Sequence, residues 1–260
     1  MIQPRLSHCF LFLIGLISFS SLSQTTNTFD ASGTFFWTAP SGVNSVEVEA
    51  IGGGGNGGNT SKTGGNTTKV AGGGGGGAYV KSTISVNPGT TYTVFVGSSG
   101  QDSYFFNQST LLAKGGKNVD ENIVAGGQGG SATNSIGTTK FSGGNGADGS
   151  GNNSGGGGSS AGIDANGNDA TGISGGVAPT DGGAGANGVS VPNNNITKDG
   201  ITGGTPGGGG SGSAVRGGGD LTATGGSGSD GQIKISYSSS TQEVWTSNQN
   251  GNWNDASTWT

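Results

Sequence analysis

Glycine is concentrated in one part of this chain. Of its 61 glycines, all but Gly15, Gly33, Gly42 and Gly251 lie within Gly52–Gly231. That density approaches collagen, but collagen needs a strict Gly-X-Y phase and abundant proline. The run Gly72–Gly77 breaks any such phase, and the whole chain has 6 prolines. Helix is costly as well, because each interior glycine costs about 1 kcal/mol relative to alanine. Ser142–Gly231 contains no Phe, Tyr or Trp, so it cannot bury the apolar area of an ordinary core.

Two states remain for such a stretch. One is a disordered Gly/Ser/Asn linker. The other is a bundle of extended polyglycine runs in the polyproline II conformation, three residues per turn and about 3.1 Å per residue. Without side chains the runs approach closely, and their backbone N–H and C=O groups pair between runs in place of a hydrophobic core. A recurring phrase gives some weight to order. Gly143-Gly144-Asn145-Gly146-Ala147-Asp148-Gly149 returns as Gly182-Gly183-Ala184-Gly185-Ala186-Asn187-Gly188 and as Gly225-Gly226-Ser227-Gly228-Ser229-Asp230-Gly231.

The flanks read as strands. Thr34–Trp37 is β-branched and aromatic, and Ala39-Pro40-Ser41-Gly42 is a turn. Ser45–Ala50 alternates with period two, placing Val46, Val48 and Ala50 inward and Glu47 and Glu49 toward water. Ala78–Val86 and Thr91–Val96, joined by Asn87-Pro88-Gly89, read as a hairpin. Tyr104-Phe105-Phe106, Leu111-Leu112-Ala113 and Ile123-Val124-Ala125 read as short strands or packing plugs. Gln232–Tyr237 alternates again and returns the chain to the sheet it left at Ile51. The expected fold class is therefore mainly β. A small sheet or sandwich carries a long glycine-rich insert, with essentially no helix after the leader.

Arg5, an apolar run from Cys9 to Phe19 and the small residues before Gln24 read as a secretory signal peptide over residues 1–23. The run is too short for a membrane span, which needs roughly 20 residues. Removing it takes away Met1, His8 and Cys9, which are the single Met, His and Cys of the chain. The mature chain would then have no disulfide, no usual zinc ligand and no Ser–His or Cys–His catalysis. Loss of Arg5 leaves nine bases against fifteen acids, which argues against nucleic acid.

The motifs that imitate chemistry have bland alternatives. Gly158-Ser159-Ser160-Ala161-Gly162 matches a hydrolase elbow but has no histidine base. Lys114-Gly115-Gly116-Lys117-Asn118 lacks the spacing and the Ser/Thr of a phosphate loop. Glu47 and Glu49 read as an exposed strand face in preference to a glycosidase pair. Calcium is the one cofactor candidate. Asp148 lies in a nonapeptide-like phrase, and Asp164, Asn166 and Asn168 place oxygens at alternate positions. Ser150 stands where that phrase wants a large apolar residue, and Asp169 where a calcium loop wants glycine, so solvated turns compete with calcium at both places.

Phe36-Trp37-Thr38-Ala39-Pro40-Ser41-Gly42-Val43-Asn44-Ser45-Val46-Glu47-Val48 resembles the opening of bacterial secreted glycine-rich domain proteins. Gly72–Gly77 followed by Ala78-Tyr79-Val80, then Asn87–Val94 and Val96-Gly97, and the closing strand after Gly231, extend the resemblance over roughly Phe29–Tyr237. The layout is also similar to the extracellular glycine-rich domain of anaplastic lymphoma kinase and to glycine-rich phage tail-tip adhesins. These resemblances imply a β-sandwich carrying ordered polyglycine helices, and a surface-binding role. The kinase family's ligand-binding residues have no matching motif here.

Residues 238–242 read as a linker. Residues 243–260 hold Trp245, Trp253 and Trp259 and resemble the phrase that opens modules in large Bacteroidota surface proteins. Core or interface use of a further module explains these tryptophans better than stacking on sugars. The organisation expected is a leader (1–23), a glycine-rich β domain (24–237, with insert 52–231), a linker and the start of a Trp-containing module. The function expected is a secreted or cell-surface, non-enzymatic structural or adhesive module. Its partner would be a cell-surface or extracellular-matrix protein or glycan, without nucleic acid and without a membrane span in the mature chain. Alternatives are an accessory domain of a larger secreted hydrolase and an ice-binding protein.

Overall fold

Alternation in the flanking sequences builds two sheets that close on each other. A computed structural model describes residues 22–240, of which Gln24–Ser238 form one compact unit. Fourteen strands and no helix lie among the described residues. In chain order they are β1 (Leu22–Phe29), β2 (Gly33–Thr38), β3 (Ser45–Ile51), β4 (Thr60–Lys62), β5 (Thr67–Val70), β6 (Tyr79–Ser85) and β7 (Thr91–Val96). Then follow β8 (Ser103–Phe105), β9 (Leu111–Ala113), β10 (Thr139–Phe141), β11 (Ile196–Lys198), β12 (Ala214–Gly217), β13 (Leu221–Ala223) and β14 (Gln232–Ser240).

One sheet has the order β1-β14-β3-β6-β10 and the other β2-β7-β8-β9. Their inner faces share one core, with Val46, Val48, Val80, Ile233 and Ile235 from the first sheet and Trp37, Tyr92, Val94, Val96, Phe105 and Leu111 from the second. Burial of Val46, Val48 and Ala50 follows the period-two reading of Ser45–Ala50. Gln232 pairs with Ile51, so the chain does rejoin the strand it left. The all-β sandwich expected from the sequence is the fold observed.

Two details correct the sequence reading. Ala78–Val86 and Thr91–Val96 are not a hairpin. β6 pairs with β3 and β10, whereas β7 pairs with β2 and β8. Asn87–Gly89 carries the chain from one sheet to the other, because Val86 and Val94 both belong in the core between them. The Tyr92 hydroxyl accepts the Asn87 amide at 2.8 Å and fixes that crossover. β14 also continues to Ser240, into the segment that reads as a linker. The expected leader lies outside the described residues apart from Leu22 and Ser23, which open β1. Trp245, Trp253 and Trp259 lie outside them too.

The glycine-rich stretch is an ordered bundle. Run 71–78 shows how it is held. Its amides point in three directions that repeat every third residue, the period of polyproline II. Gly72, Gly75 and Ala78 donate to Ile123, Lys117 and Lys114. Gly73 and Gly76 donate to Ala147 and Gly144, and Gly74 and Gly77 to Gly210 and Gly207. Its carbonyls accept from three further directions. Gly72 and Gly75 accept from Gly58 and Gly55, Gly73 and Gly76 from Gly127 and Gly130, and Gly74 and Gly77 from Gly158 and Ala161. Six segments thus surround one, at distances that exclude side chains. A Cβ on Gly73 would stand 2.0 Å from the Gly156 oxygen, and one on Gly76 1.9 Å from the Ser159 oxygen.

The runs extend the strands. Run 52–58 leaves β3 and ends at β4, while run 71–78 leaves β5 and enters β6. Seven residues of polyproline II span about 20 Å, so a second, distal set of strands stands that far from the sandwich. There β4 pairs with β13, and β5 and β11 flank β12. Val70, Val191 and Ala214 make a small apolar cluster beside them. The Lys62 ammonium donates to the carbonyls of Gly64, Gly65, Gly217 and Gly219 at 2.9, 2.8, 2.7 and 2.9 Å, tying two glycine loops together. None of these distal strands was legible as a strand in the sequence.

Candidate binding surfaces

Side chains reach only the outside of the bundle, and the three-residue period decides which do. In the run 143–149, Gly144 and Ala147 are buried while Asn145 and Asp148 are exposed. Gly183 and Ala186 are buried, and Ala184 and Asn187 exposed, in the second copy of the phrase. The recurring phrase is therefore the sequence of an edge run, with glycine or alanine inward and larger residues outward.

The outward Asn and Asp residues close the edges. At an edge, a backbone amide has no further run to donate to, and a neighbouring carboxamide or carboxylate oxygen takes its place. Asn145 Oδ1 accepts from Gly129 at 2.9 Å, Asn187 Oδ1 from Gly175 at 2.9 Å, and Asn56 Oδ1 from Gly228 at 2.9 Å. Two of the calcium candidates take part in the same kind of contact, and the other two are bonded differently. Asp148 Oδ1 accepts the Gly126 amide at 2.8 Å, and Asn166 Oδ1 accepts the Ser142 amide at 2.8 Å. The Asn168 amide group donates to the Val177 carbonyl at 2.8 Å. Asp164 Oδ2 accepts the Thr180 hydroxyl at 2.9 Å. No group of three or more His, Cys, Asp or Glu residues fit to hold a metal lies among the described residues.

The elbow-like serines are interior. Ser159 and Ser160 are fully buried. Ser159 Oγ accepts the Asn168 amide at 2.7 Å, and Ser160 Oγ accepts the Gly183 amide at 2.8 Å. Buried serines thus stand in for backbone carbonyls where runs diverge. No buried side-chain nitrogen or oxygen lacks a partner among the described residues.

Glu47 and Glu49 are half-buried on the outer face of β3. Glu47 pairs with Lys81 at 2.9 Å, and this hydrogen bond raises the lysine's pKa. Glu49 accepts the Tyr79 hydroxyl at 2.8 Å. Burial first, and that hydrogen bond second, push the Tyr79 phenol well above its ordinary value. Both carboxylates serve packing on the strand face.

A polar cleft of about 450 Å³ opens where the outer face of β7-β8 meets the bundle. Val94, Val96 and Phe105 point into the core, so their neighbours Phe95 and Tyr104 point outward. They stand opposite each other across the strands, with ring centroids 5.0 Å apart and planes at 19°. Lys114, at the start of the run leaving β9, forms an ion pair with Asp102. Asp102 Oδ1 also accepts the Gly115 amide at 2.9 Å, which fixes the pair against the backbone. Exposed Gln101, Gln108 and Lys117 complete the wall. The sequence singled out Lys114 and Lys117 only as a failed phosphate loop, and Tyr104 as a strand or plug. Nothing in it joined them, because their proximity depends on the register of β8 and β9.

Large apolar side chains crown the bundle loops. Ile123, Val124, Val177 and Ile201 are 48, 53, 74 and 50% exposed, so the cluster Ile123–Ala125 is not a plug. No helix among the described residues is long and apolar enough to cross a membrane.

Comparison with known proteins places this architecture. A family model described as a glycine-rich domain matches residues 28–238. The match covers the whole bundle and both sheets apart from most of β1 and the end of β14, and the chain belongs to that family. No curated protein matches it.

Proposed function

We propose that this member of the glycine-rich domain family is an exported, non-enzymatic module that acts at a cell surface, structurally or by adhesion. One observation carries the reading. The run Gly72–Gly77 is enclosed on six sides by other backbone, which makes a stiff slab with no room for side chains inside. Its chemistry is displaced to outer faces, edge Asn and Asp residues and loop tips. Such a body suits a spacer or a contact surface. The interior position of Ser159 and Ser160 supports a binding role over hydrolysis through the elbow-like motif. The leader-like residues 1–23 support export. The partner expected is a cell-surface or extracellular-matrix component.

The test has two readouts. Expression of the full chain in a bacterial host, followed by N-terminal sequencing of the exported product, should give a chain beginning at Gln24. The labelled product should then decorate intact cells or deposited matrix. A chain that is retained uncleaved inside the cell and binds neither would overturn the proposal.

A further inference from the structure

The cleft between the β7-β8 face and the start of the run 114–117 has a chemistry of its own. Its volume, about 450 Å³, lies within the roughly 300–1,000 Å³ of small-molecule sites. One wall is aromatic, formed by the Phe95–Tyr104 stack. The others are polar and carry both hydrogen-bond donors and acceptors, with carboxylate (Asp102), ammonium (Lys114, Lys117) and carboxamide (Gln101, Gln108) groups. An apolar ligand would leave these groups desolvated and unpaired, at a cost of about 1–3 kcal/mol each. A bare inorganic anion would make no use of the aromatic wall. A ligand with C–H faces and hydroxyl edges uses both, and that is a sugar ring.

Charge narrows the class. Among the lining side chains, Lys114 is neutralised by Asp102, and exposed Lys117 adds a positive charge. The chain as a whole is acidic, with a formal charge of −5. Its overall repulsion of an anion is screened beyond about 8 Å at physiological ionic strength, whereas Lys117 acts at contact distance. The cleft therefore favours a saccharide that carries a carboxylate. The site is also stiff. Asp102 is held by the Gly115 amide, and the Lys114 carbonyl accepts the Ala78 amide at 2.8 Å. A fixed ion pair loses little conformational freedom when it receives hydroxyl groups.

We propose that this cleft binds a sugar unit of an acidic polysaccharide. Tyr104 and Phe95 lie against the ring C–H groups, Lys117 meets the carboxylate, and Gln101 with the Asp102–Lys114 pair meets the hydroxyls. The proposal rests on the reading of the domain as a surface-binding module and supplies its ligand class.

Affinity electrophoresis of the full chain through gels containing polygalacturonate or neutral dextran tests it. Polygalacturonate should retard the chain and dextran should not. Lys117→Glu, at an exposed position, should weaken retardation at least tenfold, as should Tyr104→Ala. Tyr104→Phe should retain most of it, and circular dichroism confirms folding of each variant. Equal retardation by dextran, or retardation unchanged in Lys117→Glu and in folded Tyr104→Ala, would overturn the proposal. The cell-decoration assay separates this from the broader reading. If the wild-type chain and both variants decorate cells equally while polygalacturonate retards none of them, the cleft fails and adhesion stands. If wild type binds neither cells nor polysaccharide, both fail.

Discussion

Gly55 donates its amide to the Gly75 carbonyl at 2.7 Å. The Gly55 carbonyl in turn stands 2.1 Å from where a Cβ on Gly74 would lie. One pair of runs is therefore both joined and sterically closed at the same point. The neighbouring atoms are backbone and cannot rotate away, so Gly74→Ala must push two runs apart. It should cost about 3 kcal/mol or more or prevent folding. Gly218→Ala is the control, because nothing lies within 4 Å of a Cβ there. It should shift stability by less than about 0.5 kcal/mol. Urea unfolding midpoints of the two variants give the comparison, and equal midpoints would contradict the packing argument.

The ammonium of Lys62 ties Gly64 and Gly65 to Gly217 and Gly219, beside the Gly64 amide's bond to Asp220. Lys62→Met keeps the side-chain stem and removes the donor, leaving four carbonyls without it. A loss of about 2 kcal/mol is expected, with faster amide exchange in residues 63–66 and 217–220 and little change in the sandwich. Uniform loosening of both ends of the molecule would show that the lysine has a wider role than this clamp.

The sandwich was legible because its signal is local. Alternation in Ser45–Ala50 and Gln232–Tyr237 survives in any register. Which strands pair is a different matter, and Asn87-Pro88-Gly89 looked like a hairpin turn although it crosses between sheets. A turn sequence fixes a change of direction but not the sheet that receives the next strand. The bundle was half legible. Glycine density allowed polyproline II runs, but order itself depends on amides and carbonyls distant in sequence, as with Gly74 and Gly210. A finer signal was present in the period-three placement of Asn145 with Asp148 and of Ala184 with Asn187. Read as that period, the phrase marks edge runs. The cleft was not legible at all, because Phe95, Tyr104 and Lys117 converge only through strand register.

Tyr79 makes stability depend on alkaline pH. Its folded-state pKa is raised, chiefly by burial and then by its bond to Glu49. The stability tied to the protonated phenol is fully present below the unfolded value of about 10. It is lost as pH rises above that value toward the higher folded one, because the unfolded chain releases the proton first. Lys81 shifts in the same direction through Glu47, but its side chain is partly exposed and solvent screens its contribution. Wild type should therefore lose stability between about pH 10 and 12, and Tyr79→Phe should flatten that loss. Thermal melts across this range check it, and a slope in Tyr79→Phe equal to that of wild type would refute the assignment.

Amide exchange should display the architecture of the bundle residue by residue. Exchange requires an amide to lose its partner and meet water. Gly72–Gly77 are buried and their amides all donate to backbone carbonyls of other segments, so they should exchange only with global unfolding. In the edge run 143–149 the outcome should alternate. Gly143, Gly144, Gly146, Ala147 and Gly149 donate to backbone carbonyls of neighbouring segments, and slow exchange follows. Asn145 instead donates to the Asp169 carboxylate at the exposed edge, at 2.6 Å. A side chain frees itself by a single rotation, without parting two runs, so the Asn145 amide should exchange at least tenfold faster than Gly144 and Gly146 on either side. Asn145→Ala leaves that amide in place, and the contrast should persist. Asp169→Ala removes its acceptor, and the contrast should widen. Nuclear magnetic resonance exchange rates measured along residues 143–149 give the profile. Uniformly fast exchange through Ser142–Gly231 would mean that the runs do not pack.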